Sequence, residues 1–537
     1  MLFSYNWIRE LVPGLDQPAA ALERLITLKT AECEGIERVG ALLETACAAR
    51  VQSVEPIPNS HNVKAVIDAG RYGIRTVVCG APNCRPGVVT AYAPIGKKVI
   101  AGIESDGMLA SAAELGISKD HSGIIELDSQ VGAPLAGCLP DHVIEIDNKS
   151  ITHRPDLWGH FGMAREVAAI TGRRLADPVR LDLVPAGDPA IRVVVEDEDL
   201  CPRYSALVFE DVAVRPSPEW LQCRLTAIGL NPISNMVDMT NFVMAELAQP
   251  MHAFDLDKLH GDTIFVRRAR RGERFRALNG EEYTLDESNL VIADAAGAIG
   301  LAGVMGGMES AISETTRRVV LESACFHPGS IRKTSAALKL RTDASMRFEK
   351  AQDPANTVRG IARAIALLRD IAPGIRTVGG VADRKKDIDA PPPIPLPLDW
   401  LDRKLGRAVP AAEVREILER LEFGVEEPAP RAFSVTVPSW RATKDISIPD
   451  DLVEEVGRMV GYDSITPTAP LVPAAVPPGN PERRFQHEVR DVLVDLGFTE
   501  VYNYSFLSEE AARAFGFDPA GHVRVLNPIA SDQVLLR

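Results

Sequence analysis

The period of the apolar positions changes repeatedly along this chain, and each change marks an element. Between residues 40 and 148, short alternating apolar and polar runs are bounded by Gly, Pro and Asn turns, as at 75–78, 88–93 and 123–127, and predict a small β-barrel. Strand-type runs at 191–195, 263–267 and 289–293 are interleaved with helical periodicity at 218–228 and 357–371. An α+β fold is therefore expected over 200–385. Farther on, 411–421 reads as a helix and 433–437 as a strand. A further helix begins near Asp451, where Leu452, Val453, Val456, Met459 and Val460 make one apolar stripe. An amphipathic helix at 484–496 and a strand-like VYNYSF at 501–506 follow.

Two proline-rich stretches, APPPIPLP at 390–397 and TPTAPLVPAAVPPGNP at 466–481, read as extended linkers around a small module. At 537 residues the chain exceeds what one core supports, so about three to five domains are expected. Hydrophobic residues at 46% and charged residues at 25% exclude a disordered chain. No apolar run reaches about 18 residues, and MLFSYNWIRELVPGL lacks the order of a signal peptide, so a cytoplasmic protein without a membrane partner is expected. The eight cysteines form no CxxC pair and no zinc spacing, and are expected to be reduced thiols in cores. A formal charge of −15 argues against coating DNA or RNA by bulk electrostatics, though it leaves room for a local basic groove. The run Arg267, Arg268, Arg270, Arg271 and Arg274 reads by itself as a solvated face.

The densest chemistry lies in VPSWRATKDISIPDDLVEEVGRMVGYDSI, residues 437–465. Asp445 comes six residues before Asp451, and Asp451, Glu454 and Glu455 stand at i, i+3 and i+4 on one face of a first helical turn. Carboxylates gathered in this way repel one another unless a cation joins them, and all-oxygen donor sets suit Mg²⁺. The same spacing also serves a helix start, because acidic residues favour the first turn and Asp-x-x-Glu matches a capping box.

That segment resembles the metal-binding segment in the β subunit of bacterial phenylalanyl-tRNA synthetases. The resemblance implies Mg²⁺ held by Asp445, Asp451, Glu454 and Glu455. The chain departs from the family at Ala442-Thr443-Lys444, a longer lead into Asp445. Other motifs resemble the same family in the same order. FSYNWIREL and AECEGIERV resemble its start. VVCGAPNCRPG, GIESDGMLASAAELGI and SGIIEL resemble its tRNA-binding OB-fold domain, which here includes the basic residues Arg85, Lys97 and Lys98. ITHRPDLWGHFGMAREVAAITG, residues 151–172, resembles the return that completes the N-terminal domain. Arg154 and Asp156 are expected to be structural there, Asp156 as a helix cap.

In the centre stand AELAQPMHAFDLDKL, LAGVMGGMES, VVLESACFHP and LRTDASMRFEK. Singly, a His in an apolar loop is usually a core residue and a Gly pair marks a bend. Together they resemble the family's editing domain, which hydrolyses tyrosine wrongly attached to the tRNA. The resemblance implies catalytic roles for His252 and Glu322, with Gly306, Thr342 and Ala344 lining the pocket. Glu322 would accept a hydrogen bond from the tyrosyl hydroxyl, and phenylalanine would leave that carboxylate unpaired. His252 would position water or the terminal adenosine. Asn279 stands in the LNG turn where the family more often has Asp.

The expected fold is multidomain α+β. It comprises an N-terminal α+β segment (1–39, completed by 149–190), an OB-fold β-barrel tRNA-binding domain (40–148), an α+β editing domain (200–385), a small metal-binding α+β module (395–470) and the start of a synthetase-like domain (482–537). The resemblance implies a β subunit that supports ATP-dependent attachment of phenylalanine to tRNA(Phe). An α subunit would carry the aminoacylation site, with two of each subunit in the enzyme and ATP as its substrate. NPIASDQVLLR resembles the middle of the synthetase-like domain, so continuation past Arg537 and exposed apolar surface are expected. The rival readings are a non-catalytic tRNA-binding or assembly protein on the same scaffold and a free-standing editing hydrolase.

Overall fold

Leu2–Ser4 and Cys33–Val39 are not neighbours in the sheet they share. The strand Asp141–Ile146 runs between them, antiparallel to both. The intervening chain is an insertion, and the return to the N-terminal sheet comes at Asp141, ahead of the expected 149. The computed structural model describes residues 1–116, 120–127, 129–135, 140–387 and 390–537; Ile117 and Cys138, named in the motifs and cysteine count above, lie outside them. Contacts divide the chain into two units, Met1–Thr466 and Pro467–Arg537.

Within the insertion, five antiparallel strands lie in the order Ile74–Cys79, Val63–Asp68, Cys47–Pro56, Val89–Ile100, Ile103–Ala110. Their inward residues, among them Val51, Ile67, Val77, Tyr92 and Leu109, form a small core of their own. Among the described residues no closed barrel is present. No ladder joins the first strand to the last, although the Val78 N–H donates to Ser105 Oγ at 2.9 Å between them. The strand expected at 123–127 is also missing, apart from a single bridge from Glu126 to Thr90. The reason is local: the Asn83 side chain takes both the N–H and the C=O of Ile124, at 3.0 and 2.8 Å, so a ladder cannot.

The central domain has two sheets. One orders Met251–Asp255, Val319–Cys325, Arg203–Glu210 and Arg376–Lys385, all antiparallel. The helix Asn356–Ile371 covers it, burying Ile361, Ala364, Ile365 and Leu368 at helical spacing. These residues share one core with Trp7, Ile8, Trp158, Met163 and Phe242, which welds the N-terminal segment to the central domain. The second sheet orders Met305–Gly306, Ala298–Leu301, Leu290–Ala293, Thr263–Arg268 and Arg192–Val195, the last pair parallel. Its core is separate and is built on Phe254, Val266, Phe275, Ile292, Phe326 and Phe348.

The stretch expected as a linker at 390–397 ends instead in the strand Ile394–Pro397, at the edge of a sheet with Ala432–Thr436 and Gly424–Ala429. An edge position tolerates Pro395 and Pro397, which have no N–H to give. The helices Leu398–Leu405, Ala411–Arg420 and Pro449–Val460 pack on this sheet around Leu396, Leu401, Val414, Leu418, Leu452 and Val456.

In the second unit, Asn480 caps the helix Pro481–Asp495, and Phe506–Leu507 pairs with Leu535–Leu536. The strand read at 501–506 survives only at Phe506, because its partner ladder is two residues long. Phe485, Val489 and Val492 on the helix and Leu496 just after it are exposed. Among the described residues no helix is long and apolar enough to cross a membrane. Among the described residues six cysteines are free thiols, but Cys223 is disulfide-bonded, against the expectation of reduced thiols. Spacing along the chain does not reveal which thiols the fold brings together.

Candidate functional site

His252 and Glu322 lie directly opposite each other on adjacent antiparallel strands, so both side chains leave the sheet on the same face. They open into a cavity whose empty space, counted out to open solvent, is about 400 Å³. Gly306 and Ala344 line it too, with Met251, Phe254 and Phe348 supplying apolar wall. Four of the five residues expected of a hydrolytic pocket thus meet in one cavity. Thr342 stands one layer behind. Its hydroxyl donates to the carbonyl of Val304 at 2.8 Å, and it caps the helix Asp343–Phe348 in a reciprocal box with Ser345. It thereby ties the helix carrying Ala344 to the glycine loop.

That loop has its shape for steric reasons. Gly303 has φ +65°, and a Cβ there would lie 2.9 to 3.0 Å from Ile331, Phe326 and Phe348. At Gly306, a Cβ would lie 2.3 Å from Cε1 and Nε2 of His252. The absence of a side chain at 306 is what lets the imidazole stand where it does. Phe254 holds the ring edge-on from the other side, centroids 4.6 Å apart.

The electrostatics follow from burial. His252 as a whole is half-buried, but its Nε2 is shielded and has no hydrogen-bond partner. Burial lowers its pKa to about 4, leaving a neutral ring at pH 7. An unpaired buried nitrogen costs about 1–3 kcal/mol, which a ligand-facing histidine recovers on binding and a structural one does not. Glu322 is 7% exposed. Burial raises its pKa to about 7, against the opposing effect of a hydrogen bond from the Tyr204 hydroxyl to Oε2 at 2.8 Å. Tyr204 is fully buried and was not legible as a site residue. The signal was present in the strand RYSALVFE: Ala206 opposes Glu322, so period two puts Tyr204 on the same face, diagonal to it. Asn279 accepts the N–H of Glu281 and donates to the Tyr283 hydroxyl, within its own turn.

The expected Mg²⁺ quartet is placed differently. Glu455 is buried between Arg441 at 2.8 Å and Arg458, and although burial pushes its carboxyl up, the two guanidiniums hold it well below the usual range. The Asp445 side chain is 5% exposed and paired with Arg441 and, at 3.6 Å, with Arg154. Asp451 accepts the N–H groups of Ser447 and Ile448 at 2.7 and 3.0 Å, which is the helix-start role. Glu454 is exposed. Among the described residues no group of three or more His, Cys, Asp or Glu side chains gathers as a cation site. The donors therefore do not fit a metal: guanidiniums already neutralise two of the four carboxylates.

Those pairs belong to a larger buried network. Arg154 bonds Asp156 and Glu166 at 2.8 Å, Arg458 also reaches Glu166, and Arg165 reaches Asp156 at 3.3 Å while lying over the Trp440 ring at 4.1 Å. The structural role expected of Arg154 and Asp156 takes this form. Asp156 does not cap the following helix; Gly159 holds the cap position without a side-chain bond, because the Asp156 carboxylate is claimed by two guanidiniums. In the insertion, Arg85 is paired with Glu126 at 2.8 Å and Lys97 with Glu104 at 2.6 Å.

Four family models match stretches of the chain. The B3/4 domain family matches residues 200–373, the tRNA synthetase B5 domain 394–462, the phenylalanyl tRNA synthetase beta chain CLM domain 465–537, and the tRNA binding domain 47–134. The phenylalanine–tRNA ligase beta subunit of Solibacter usitatus is 75% identical over 537 residues, which are 100% of this chain and 70% of that protein. The chain belongs to the phenylalanine–tRNA ligase beta subunit family. The beta subunits of Anaeromyxobacter dehalogenans and Geobacter sulfurreducens are 39% and 37% identical, each over 100% of this chain and 68% and 69% of their own length. An N-terminal fragment of the phenylalanyl-tRNA synthetase beta subunit from Pyrococcus horikoshii is 17% identical, with a TM-score of 0.33, over 62% of this chain and 90% of its own. That likeness is too slight to bear on the fold. In this beta-subunit chain, the cavity of His252 and Glu322 falls inside the B3/4 match, and the guanidinium–carboxylate network extends into the B5 match.

Proposed function

We propose that this beta subunit supports ATP-dependent attachment of phenylalanine to tRNA(Phe) in a cytoplasmic enzyme of two α and two β subunits, and itself hydrolyses tyrosyl-tRNA(Phe). Aminoacylation is assigned to the α subunit, and ATP and Mg²⁺ enter with the complete enzyme. The insertion is read as an OB-type tRNA-binding domain with an open sheet. The observation that carries the hydrolytic reading is that His252, whose Nε2 has no hydrogen-bond partner, lines the same cavity as Glu322.

The reaction is ester hydrolysis. Water attacks the tyrosyl carbonyl, the bond to the ribose oxygen breaks, and the proton of water passes to the ribose oxygen. A histidine with pKa about 4 is a weak base at pH 7, so His252 acts by accepting a hydrogen bond at Nε2 from the attacking water or the adenosine hydroxyl, aligning it. Glu322 receives the phenol. Tyr204 occupies Oε2, leaving Oε1 to pair with the tyrosyl hydroxyl; phenylalanine offers no such partner. The test is tyrosine release from tyrosyl-tRNA(Phe) by the wild-type chain and by a His252→Ala, Glu322→Ala double variant, each with the α subunit. Release lost in the variant supports the assignment, and release at the same rate in both removes it.

A further inference from the structure

A groove of about 1030 Å³ runs over the central domain beside the cavity, and its walls are cationic. Lys258, Arg270, Arg271 and Arg274 line it, all of them exposed, and the exposed His260 ring lies 3.2 Å from the Asp294 carboxylate. Lys258 is met by Asp255 at 3.5 Å and Arg274 by Glu282 at 2.7 Å, whereas no ion pair to Arg270 or Arg271 is found among the described residues. Two of the lining carboxylates are already satisfied from within. Glu273 accepts from Arg267 and from the Arg270 N–H. Asp294, buried, accepts the N–H groups of His260, Ala296 and Gly297. Glu309 is the exposed acid of the groove.

The position matters as much as the charge. Ala298 and Ile299 line the groove, and the next residues of the same strand, Gly300 and Leu301, line the cavity. At about 3.3 Å per strand residue, the two linings adjoin at Ile299 and Gly300 and together span about 10 Å of that strand from Ala298 to Leu301. A local cationic surface on a chain of net charge −15 suits a polyanion, and one sited beside a cavity for an RNA ester suits that RNA. We propose that this groove binds the phosphate backbone of the RNA whose esterified 3′ end enters the cavity. The proposal rests on the hydrolytic reading. Its contacts position the strand and carry no base preference.

The test uses the complete α/β enzyme and a labelled, uncharged acceptor-stem hairpin ending in single-stranded CCA, with binding followed by fluorescence anisotropy across a KCl series. Arg270→Ser with Arg271→Ser should weaken binding about tenfold at the lowest salt and flatten the plot of log K against log salt by about 1 to 2. Glu309→Gln should tighten binding, a gain that misfolding does not produce. Arg180→Ser, which removes an exposed arginine outside the groove, should change neither. An unchanged affinity and slope in the double arginine variant overturn the proposal. So does loss of polyglutamate binding in that variant with the hairpin unaffected, which would make the groove a protein-docking surface. If the hairpin weakens as expected while wild-type enzyme releases no tyrosine, the groove stands and the hydrolytic reading falls.

Discussion

The Nε2 of His252 and the carboxyl of Glu322 share one face of one antiparallel pair, and burial drives both toward their neutral forms. They are thus not an ion pair, and each titrates for its own reason. For Glu322 the folded pKa of about 7 lies above the ordinary 4.5. The stability from its protonated form is therefore fully present below pH 4.5, declines as pH rises, and is gone above about 7. The shift corresponds to about 3 kcal/mol. Thermal unfolding of Glu322→Gln should show a shallower loss of stability between pH 4.5 and 7 than the wild type; parallel curves would mean that the carboxyl titrates normally.

Gly306 admits the histidine ring. Gly306→Ala places a methyl group 2.3 Å from Cε1 and Nε2 of His252, so the ring must turn away. Misplacing a positioning group by about 1 Å costs about 10²-fold in rate. Tyrosine release should fall by about that factor, while hairpin binding in the basic groove is unchanged. Release within twofold of wild type would show that His252 is not needed where it stands.

The pocket was legible because its residues come from four separate motifs whose order resembles a known family, and the strand register then delivers His252 and Glu322 to one face. Thr342 illustrates the limit: its place in the motif did not show that its hydroxyl serves the Val304 carbonyl behind the wall. The carboxylate quartet shows a deeper one. Spacing at i, i+3 and i+4 placed Asp451, Glu454 and Glu455 together, but the choice between cation and guanidinium depends on Arg441 and on Arg154, nearly 300 residues away. The strand read at 123–127 was lost to a single side chain, since Asn83 takes the N–H and C=O of Ile124 that a ladder would have used.

Glu455 and Glu454 are adjacent and should behave oppositely. Glu455→Gln leaves the buried Arg441 and Arg458 short of a counter-charge, which costs about 3–5 kcal/mol when one partner of a buried pair is removed. Glu454→Gln, at an exposed position, should change stability by less than about 0.5 kcal/mol. Urea unfolding of both variants checks this. Equal effects would mean that the network does not bear on stability.

Tyr204 is where specificity can be separated from chemistry. Its hydroxyl holds Oε2 of Glu322 and so fixes which oxygen remains for substrate. Tyr204→Phe removes that donor, lets the carboxyl rotate and leaves both oxygens to a single ligand. One hydrogen bond is worth about 1 kcal/mol, so the preference for tyrosyl over phenylalanyl ester should fall about fivefold. The loss should appear in KM for the tyrosyl ester more than in kcat, because His252 and the glycine loop are untouched. In a double-mutant cycle, Tyr204→Phe should add little once Glu322→Ala is present. Full additivity would mean that Tyr204 acts on the fold and not through the Glu322 carboxyl.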